Sequence, residues 1–591
     1  MNYSLTKTDL KKEGEKGVLA TAWQRLVPLM VEEKRAVAIA IVAILISSGV
    51  TLIVPIIIAR IVDVFVVSKN FQGVVSFSGI LLVVFLVGLV SNYLQVKTMG
   101  GVGRRLLFNL RGKIFNKLQQ LPVAFFNQNK AGDLISRINN DTEKLNQFFA
   151  QALMQFISNL VLIAGTGIFL LVINWQLGLI ALVPAMLALV ATQLLSPWVK
   201  RTSLKSLQTL GGLSSEIQES INNFKVIVAF NRLDYFREKF SQANQANYAA
   251  SVSAGIASNV FNPIYVLVSS LAQLVVLVVG ISLISQGRFT VGLLIGFLLY
   301  VNSFYNPLRQ LASVWPSLQL ALAGLDRISQ VLAIESDLQS MPEETNCTLN
   351  EASSVLEFKN VFFQYVEGKD VLKDINFKFE AGKTYALVGP TGGGKTTTAS
   401  LMARLYDPSQ GIILLEGKDI RCWDPSERVK KIGFILQEPF LFTGTVRENI
   451  LYGNVEHGQY DDEQLKQILE KMHLTKLLER FADGLDTRIA VGGETISLGQ
   501  KQLIAFIRAA LRRPDILILD EATANIDTIT EQLLEEILEK LPAKTTKIII
   551  AHRLNTIENA DEIFFVNGGQ VTPAGSMQQA MDMLLHGKRQ S

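Results

Sequence analysis

The sequence predicts a multidomain membrane protein in which an all-α domain of six membrane-spanning helices precedes an α/β domain. Two properties of the whole chain favour a membrane protein. Only 18% of its 591 residues are charged, and its mean hydropathy is +0.30. A third observation is the change of pattern after Arg327, where long apolar runs give way to short strand-like and helical segments. The net charge of +4 is small for this length and argues against a nucleic-acid partner.

Six apolar stretches are long enough to cross a bilayer, which takes about 20 residues of helix. None of them contains Asp, Glu, Lys or Arg, and six such runs in one chain disfavour the alternative of buried helices in a soluble core. The stretches cover residues 36–58, 74–95, 150–173, 177–197, 259–286 and 289–308.

The links between these stretches predict the orientation of the chain. The links after the second and fourth stretches each exceed fifty residues, whereas the other three are short, so the two long links lie on one side of the membrane. Lys and Arg are frequent in the long links, but the short links contain only Arg60, Lys69 and Arg288. Because basic residues accumulate on the inner side, we expect the long links, the N-terminus and the C-terminal half to be cytoplasmic.

Periodicity within the first long link extends the helical prediction. "RRLLFNLRGKIFNKLQQL" repeats apolar residues at spacings of three and four, so we expect the spans to continue as long cytoplasmic helical extensions. The N-terminal segment is too polar and too long before the first apolar run for a cleavable signal peptide. The predicted parts are a cytoplasmic segment with an elbow helix (1–35), a transmembrane domain (36–327), a linker (328–353) and an α/β domain (354–591).

The α/β domain is predicted from strand-like runs that alternate with helical ones. This alternation favours a largely parallel sheet covered by helices. The strand-like runs are "VLEFKNVFFQY", "KTYALVG", "KIGFILQ", "DILILD" and "TTKIIIAH".

A phosphate-binding loop follows the run "YALV". The sequence "GPTGGGKT", residues 389–396, matches G-x-x-x-x-G-K-[ST] between a strand and a helix. Its glycines let backbone N–H groups face phosphates, Lys395 reaches the β- and γ-phosphates, and the Thr396 hydroxyl can hold Mg²⁺. The context disfavours the alternative of an ordinary glycine-rich turn, so we expect a P-loop nucleotide-binding domain with ATP and Mg²⁺. The predicted contacts are Gly389, Pro390, Thr391, Gly392, Gly393, Gly394, Lys395, Thr396 and Thr397.

Polar residues follow three further apolar strands. Asp520 ends "ILILD" and can reach Mg²⁺, while Glu521 beside it can face an attacking water. Gln437 follows "KIGFIL", and His552 follows "TTKIIIA". Carboxylates at a helix N-terminus are the alternative for the acidic pair, and a structural role is the alternative for a lone His. The neighbouring P-loop favours the functional interpretation of all four residues.

Taken together, these motifs resemble an ABC exporter half-transporter. The P-loop, Gln437, "SLGQKQ", "ILILDE", "ANID" and "IAHRLNT" follow six spans in the order of that family, and the resemblance covers almost the whole chain. The run "LPVAFFNQNKAGDLISRINNDTEKL" is similar to the exporter segment that docks on the ATPase domain. The resemblance implies an ATP hydrolase coupled to transport, in a bacterial inner or plasma membrane.

The resemblance also implies roles in the ATP site. Glu521 would polarise the hydrolytic water, His552 would contact the γ-phosphate, and Gln437 would link Mg²⁺ to the membrane domain. The remaining implied contacts are Tyr365 on adenine, Ser497, Gly499 and Gln500 of the signature motif, and Asp527 of the loop that joins two ATP sites.

The signature segment departs from the family pattern. The family reads L-S-G-G-Q, whereas this chain has Leu498 in place of the first Gly, Val491 in place of an acidic residue, and Glu494 nearby. The C-terminal "GSMQQAM" also lacks the His of the family's G-T-H-x-E-L pattern. Ser497 and Gln500 fit a capping box, so Ser497 can cap its own helix as well as bind an anion.

Because the chain carries one ATPase domain, we expect it to pair with a second half-transporter and to work by alternating access. Heterodimeric exporters often combine the catalytic Glu with an altered signature in one subunit, and Leu498 fits that pattern. A complete set of catalytic residues also permits a homodimeric lipid or multidrug flippase. An ATP-gated channel would share the motifs, but a polar pore lining is missing.

The predicted substrate is a hydrophobic or amphipathic compound, drug-like or lipid-like. The six stretches hold no ionised residue, so a strongly anionic substrate is not expected. Amides and aromatic rings remain as possible contacts, and most of them can instead bond to neighbouring helices. The candidates are Asn262, Tyr265, Gln273, Tyr300, Asn302, Phe304 and Tyr305.

Overall fold

A computed structural model provides the fold of the chain. It describes residues 3, 5, 26, 28, 30–335, 354–366, 368–454, 458, 460–472, 474–490, 493, 495–520, 528–550, 560–575 and 577–586. The chain divides into two compact units. A membrane unit comprises Thr6–Lys117 and Gly132–Ala333, and a nucleotide unit comprises Met1–Leu5, Leu118–Ala131 and Ile334–Ser591.

In the described residues, six helices are long and apolar enough to cross a membrane. The predicted six-span all-α domain is therefore confirmed. The helices are α1 (Val31–Val66), α2 (Phe71–Gln119), α3 (Ala131–Ile173), α4 (Trp175–Asn222), α5 (Leu233–Ser285) and α6 (Val291–Leu332). A short helix, Phe224–Ala229, lies between α4 and α5.

These helices run well beyond the apolar stretches, as the periodicity predicts, and several of them are irregular. Two π-helical turns, Arg137–Asp141 and Phe148–Ala152, interrupt α3. Helix α5 is interrupted at Val260, between Leu233–Asn259 and Phe261–Ser285. Pro307 and Pro316 lie inside α6, and each removes one backbone N–H donor from its helix.

A carboxylate of α1 caps the first turn of α6. Asp63 accepts hydrogen bonds from the Thr290 hydroxyl at 2.5 Å, the Gly292 N–H at 2.7 Å and the Leu293 N–H at 3.2 Å. The helices touch closely here, because a Cβ at Gly292 would lie 2.3 Å from the carbonyl oxygen of Ala59. Asp63 thus satisfies free N–H groups at the helix N-terminus and ties α1 to α6.

The opposite end of α6 is tied to α3 by an α3–α6 charge cluster of Asp133, Arg137, Asp141, Lys144 and Arg327. Asp141 is fully buried, and its carboxylate contacts Lys144 Nζ at 2.8 Å and Arg327 Nη1 at 3.2 Å. Asp133 bridges Arg327 Nη2 at 2.6 Å and Arg137 Nε at 2.9 Å. The two ends of α6 are therefore fixed by carboxylates from different helices.

The nucleotide unit contains two main sheets among its described residues. One has the strand order β2-β1-β4-β5, and the other has the order β12-β11-β3-β10-β9-β6. Strands β11, β3, β10, β9 and β6 are parallel, and β12 pairs antiparallel with β11. The strands are β1 (Leu356–Val366), β2 (Lys369–Phe379), β3 (Thr384–Val388), β4 (Gln410–Leu415), β5 (Lys418–Asp419), β6 (Ile432–Ile435), β7 (Gly444–Thr445), β8 (Arg488–Ile489), β9 (Ile516–Asp520), β10 (Thr546–Ile550), β11 (Glu562–Asn567) and β12 (Gln570–Pro573).

The parallel sheet confirms the predicted α/β class, with one difference of detail. Four of the five strand-like runs form its strands β3, β6, β9 and β10, but "VLEFKNVFFQY" forms β1 of the antiparallel sheet. Its alternating burial, with one face covered, is typical of an antiparallel strand rather than of a fully buried parallel one.

Helices cover the parallel sheet on both faces. We label the P-loop helix α7 (Lys395–Met402) and the helix that follows Ser497 α8 (Leu498–Leu511). The other helices of this unit are Pro425–Lys431, Val446–Leu451, Asp462–Lys471, Thr475–Leu478, Thr528–Lys540 and Met577–His586.

A segment between α2 and α3 belongs to the nucleotide unit. Its short helix, Val123–Gln128, lies in the Leu118–Ala131 part of that unit. The Asn127 amide donates to the Tyr406 hydroxyl at 2.6 Å, and the Gln128 side chain accepts from the Tyr3 N–H at 2.7 Å. Packing of this segment on the nucleotide-binding domain agrees with the docking that the resemblance implies.

Candidate functional site

The P-loop is shaped by close backbone packing between β3 and α7. Gly394, at the N-cap of α7, has φ +115°, in the region that favours glycine. A Cβ at Gly389 or Gly393 would lie 2.0 or 2.5 Å from the carbonyl oxygen of Val566. The loop therefore lies directly on the backbone of β11, an approach that only glycine permits.

Lys395 lies inside this loop. Its ammonium donates to the carbonyl oxygens of Gly389 at 2.7 Å and Pro390 at 3.2 Å, and the residue is 5% exposed. A cation held at the N-terminus of a helix within a ring of backbone amides is the arrangement that binds a polyphosphate.

The structure brings Thr396 and Asp520 together, as the sequence predicts. The Thr396 hydroxyl donates to Asp520 Oδ1 at 3.3 Å, and Asp520 is 2% exposed. The pairing of parallel strands explains why Thr396 and Asp520 lie close together. Asp520 of β9 and Leu387 of β3, the strand that precedes the P-loop, both pair with Ile550 of β10. A hydroxyl and a carboxylate oxygen are ligands that suit Mg²⁺, which needs few protein ligands when phosphate supplies others.

The remaining predicted catalytic residues are placed only in part. Gln437 lies two residues beyond the end of β6 and is exposed. Glu521, Asp527 and His552 lie outside the described residues, as do Val491 and Glu494 of the signature region. Strands β9 and β10, which precede Glu521 and His552 in the sequence, are neighbours in the sheet.

Tyr365 is positioned beside the P-loop helix. Its hydroxyl and the Thr397 hydroxyl are 3.1 Å apart, and its ring is exposed. The Tyr406 ring packs edge-on against it, with 5.2 Å between ring centroids. An exposed, laterally supported ring next to the P-loop can stack on a nucleobase.

Ser497 caps helix α8 in a complete capping box. Its hydroxyl accepts from the Gln500 N–H at 3.2 Å, and its own N–H donates to Gln500 Oε1 at 2.9 Å. Gly499 and Leu498 lie in the first turn, and the Leu498 side chain is exposed. The predicted cap is confirmed, and it belongs to a helix N-terminus that can attract an anion.

Helices α7 and α8 pack into different hydrophobic cores. Leu401 and Met402 of α7 lie in the core under β3, β10 and β9, whereas Leu503, Ile504 and Phe506 of α8 lie in a second core. The P-loop and the signature segment therefore have separate structural supports.

Arg508 is a residue that sequence reasoning missed. Arg508 lies on α8, and its guanidinium donates to the Asn449 carbonyl at 2.8 Å and to the Phe440 carbonyl at 3.3 Å. Phe440 lies three residues after Gln437. Burial lowers the pKa of Arg508 below its ordinary value. Arg508 thus joins the signature helix to the Gln437 loop, and no local motif signals such a long-range contact.

Three predicted substrate contacts in the membrane unit are structural. The Tyr300 and Tyr305 hydroxyls donate to backbone carbonyl oxygens of α1 and α4, respectively. The Tyr265 and Thr192 hydroxyls are 3.2 Å apart, and all three tyrosines are buried. Burial and satisfied hydroxyls favour the alternative that these three rings bond to neighbouring helices.

The other predicted contacts differ among themselves. Phe304 is buried, and Gln273 Nε2 donates to Ser269 Oγ at 3.5 Å, whereas Asn262 and Asn302 are exposed. Arg309 follows directly on the last apolar stretch, and its guanidinium donates to Asn262 Oδ1 at 3.0 Å. Helix α6 continues without a break through Arg309, whose side chain is half-buried.

The geometry agrees with comparisons with known families. Residues 37–308 match the ABC transporter transmembrane region, and residues 372–524 match the ABC transporter family model of the ATP-binding domain. The first match covers the six helices, and the second covers the P-loop, Asp520 and Ser497.

Several proteins resemble the chain over most of its length. An uncharacterized ABC transporter ATP-binding protein of Bacillus subtilis is 32% identical over 580 residues, which are 96% of this chain and 93% of the relative. A fatty acid ABC transporter ATP-binding/permease protein of Mycobacterium bovis is 31% identical over 508 residues, 86% and 79% of the two chains. A multidrug resistance ABC transporter ATP-binding and permease protein of Lactococcus lactis is 32% identical over 480 residues, 81% and 80%.

Six membrane helices, a built P-loop and relatives that align over both domains lead to one conclusion. The chain belongs to the ABC transporters, as an exporter half-transporter that binds ATP and couples its hydrolysis to transport.

Proposed function

We propose that this chain is one half of a dimeric exporter that moves hydrophobic or amphipathic compounds, drug-like or lipid-like, out of a bacterial cell. The observation that carries the proposal is the separate support of the P-loop and the Ser497 helix in two hydrophobic cores of one domain. Each chain then supplies half of two ATP sites, and the signature helix of one subunit completes the P-loop of the other.

Within each site we assign roles by chemistry. Tyr365 stacks on adenine, and the P-loop amides with Lys395 hold the phosphates. Glu521 polarises the attacking water, and His552 contacts the γ-phosphate. Asp527 belongs to the loop that joins the two sites. The exposed Tyr365 ring and the buried Lys395 support the binding roles.

We assign Mg²⁺ to Thr396, Asp520 and Gln437. The 3.3 Å contact between Thr396 and Asp520 supports the first two ligands, because it places a hydroxyl and a carboxylate oxygen beside the P-loop. The ion supplies charge neutralisation for the phosphates when it is bound. Gln437 lies in a loop that Arg508 anchors to α8 through the Phe440 carbonyl.

Alternating access follows from where ATP binds. ATP that touches two subunits stabilises only the closed arrangement of the nucleotide domains, so its binding shifts the equilibrium toward that arrangement. The cytoplasmic helix Val123–Gln128 packs in the nucleotide unit, which supports its role in passing this closure to α2 and α3. Hydrolysis then removes the bridging phosphate and separates the domains.

Exposed apolar surfaces in both units support a second subunit. In the membrane unit, Phe224 and Phe230 at the short helix Phe224–Ala229 are 56% and 75% exposed. In the nucleotide unit, Phe440 is 61% exposed and packs edge-on against Phe442. Aromatic side chains left open to water mark contact surfaces, and the chemistry of these patches fits another half-transporter.

We favour a heterodimer over a homodimer because of Leu498. Its side chain is exposed in the first turn of α8, where a neighbouring ATP would approach. A bulky residue in place of glycine narrows that approach and suits a partner site that hydrolyses ATP slowly. A homodimeric lipid or multidrug flippase is the alternative, with two identical sites.

Expression of the chain alone tests this choice. We expect the purified protein alone to hydrolyse ATP slowly without transport, and co-purification with a second half-transporter to restore substrate-dependent turnover. The measurements are ATP turnover in proteoliposomes and particle mass by light scattering. Robust transport-coupled hydrolysis by a particle of two identical chains would establish the homodimer instead.

A Ser497→Asp substitution separates the cap from the anion site. Asp caps a helix as well as Ser does, so we expect domain stability to change by less than about 0.5 kcal/mol. Its negative charge would repel the γ-phosphate, so we expect ATP turnover to fall by more than about tenfold. The reverse exchange, Asp461→Ser, in the capping box of Asp462–Lys471 is the matched control and should leave turnover unchanged. A Ser497→Asp protein with normal turnover would reduce Ser497 to a structural cap.

A further inference from the structure

One face of α6 changes character along its length. Ile295, Leu299, Asn302, Asn306 and Arg309 are spaced by four, three, four and three residues, so they form a single stripe. Ile295 and Leu299 are exposed apolar residues, Asn302 and Asn306 are exposed amides, and Arg309 carries the charge. We call these five residues the α6 stripe. It is apolar at the start of the helix and cationic at its other end.

The opposite face of α6 packs within its own bundle. Phe297, Tyr300, Val301 and Phe304 are buried there in a core that also contains residues of α3, α4 and α5. Apart from the contact of Arg309 with Asn262 of α5, the α6 stripe is the more exposed face of the helix among the described residues. Amides and a guanidinium in contact with lipid tails would be costly, so this face suits a cavity rather than the bilayer.

Depth along the helix places the charge at a membrane boundary. At 1.5 Å per residue from Val291, Asn302 lies about 17 Å and Arg309 about 27 Å along α6. The hydrocarbon layer is about 30 Å thick, so Arg309 reaches the boundary toward the C-terminal end of α6, which the sequence predicts to be cytoplasmic, while Ile295 lies near the opposite boundary. A lipid of the inner leaflet has its head group and its tail in this same order.

The polar end of the stripe is pre-arranged by hydrogen bonds. Asn306 Nδ2 donates to Asn302 Oδ1 at 2.9 Å, and Arg309 Nη1 donates to Asn262 Oδ1 of α5 at 3.0 Å. Among the described residues, the partner of Arg309 is thus a neutral amide rather than a carboxylate. A guanidinium has five N–H donors in a rigid fork, so most of its donors and all of its charge are available to an anion.

We propose that the α6 stripe is a binding site for an amphiphile with an anionic head group, a carboxylate or a phosphate. Arg309 binds the head group, and Asn262 holds the Arg309 side chain in place. Asn302 and Asn306 face the region next to the head group. Leu299 and Ile295 contact the tail. The inference rests on the proposed exporter function and names its substrate class. It departs from the expectation, drawn from the apolar stretches, that a strongly anionic substrate is disfavoured.

A series of ligands with one tail and four head groups tests the proposal. Oleate, oleyl phosphate, oleyl alcohol and oleylamine would be added to the purified transporter, with any half-transporter that co-purifies, in phosphatidylcholine nanodiscs. Binding is measured by native mass spectrometry, which needs no hydrolysis, and stimulation of ATP turnover is measured in parallel. We expect oleate or oleyl phosphate to bind more tightly than the alcohol and the amine. Preference for oleate assigns carboxylate amphiphiles, and preference for oleyl phosphate assigns phosphate head groups.

Variants at Arg309 connect the preference to the stripe. In Arg309→Gln we expect the half-saturating concentration of the preferred anion to rise at least about tenfold, as for the loss of a charge-assisted hydrogen bond. Arg309→Lys keeps the charge and should stay within about threefold, which also excludes a folding defect as the cause. Arg288→Gln, in the short link before α6, is the matched control and should bind as the unchanged protein does.

Two results would overturn the inference. One is equal binding of the anion by the unchanged protein and Arg309→Gln, and the other is tighter binding of oleylamine or oleyl alcohol than of both anions. With either of these two results, ATP turnover that oleyl alcohol or oleylamine stimulates would still support the proposed exporter function. ATP turnover that responds to none of the four amphiphiles, with none of them bound, would contradict both proposals together.

Discussion

In Glu521→Gln we expect ATP turnover to fall about 10²- to 10⁴-fold, the range for a lost general base, while ATP still binds. The physical reason is the position of Glu521 directly after β9, whose last residue, Asp520, contacts Thr396 of the P-loop. The amide keeps the shape of the side chain and loses its basicity. Single-turnover and steady-state phosphate release measure hydrolysis, and equilibrium binding of labelled ATP measures affinity.

Glu539→Gln is the matched control for this experiment. Glu539 is an exposed glutamate on the helix Thr528–Lys540 that follows in the same domain, and the same loss of charge there should leave turnover unchanged. If Glu521→Gln hydrolyses ATP at the normal rate, another carboxylate polarises the water. Loss of ATP binding together with turnover would instead show a structural defect and contradict the assigned role.

In Asp141→Ala we expect the membrane unit to lose about 1–3 kcal/mol of stability, because the buried carboxylate gives up two charge-assisted contacts whose cationic partners are partly exposed. Asp141 is 0% exposed and holds both Lys144 and Arg327, so its removal leaves the Arg327 guanidinium without one of its two carboxylates. For a domain of this size the unfolding midpoint should fall by roughly 5 °C. Thermal unfolding in detergent, followed by circular dichroism, measures the change.

Asp234→Ala is the control for the buried pair. Asp234 forms an ion pair with Arg237 at 3.2 Å, but its side chain is 97% exposed, and exposed pairs contribute little to stability. We expect its midpoint to match that of the unchanged protein. Asp141→Asn, which keeps the shape and loses the charge, should fall between the two. Equal midpoints for Asp141→Ala and Asp234→Ala would show that the α3–α6 charge cluster does not stabilise the unit.

Much of the fold and of the ATP site follows from local sequence patterns. Long runs without charge predict the spans, because lipid admits little else at helix length. The P-loop is predictable because its glycines are required by close backbone contact, as Gly389 and Gly393 show against Val566. Thr396 and Asp520 could be paired in advance, since the ends of neighbouring parallel strands meet at one edge of a sheet.

Contacts between distant elements could not be predicted in the same way. No local sequence signal indicates that the Tyr300 and Tyr305 hydroxyls donate to backbone carbonyl oxygens of other helices. An intramembrane tyrosine can satisfy its hydroxyl either within the helix bundle or toward a cavity. A role for Arg309 was not predicted because an apolar stretch is taken to end at the first charged residue, although the helix itself continues. Arg508 reads as a polar residue of an amphipathic helix, and only the packed domain reveals its reach to Phe440 and Asn449.

The way in which α6 is held has a mechanical consequence. Asp63 fixes its first turn, and Arg327 fixes its last turns to α3. Between these two anchors, Pro307 and Pro316 each remove a backbone hydrogen bond and weaken the rod at that place. When either anchor is displaced, we expect α6 to bend at the prolines instead of swinging as a whole. Arg309 lies between the two prolines, so the charged end of the α6 stripe would change its orientation in each transport cycle. The two ends of α6 would meanwhile keep their contacts with Asp63 and with α3.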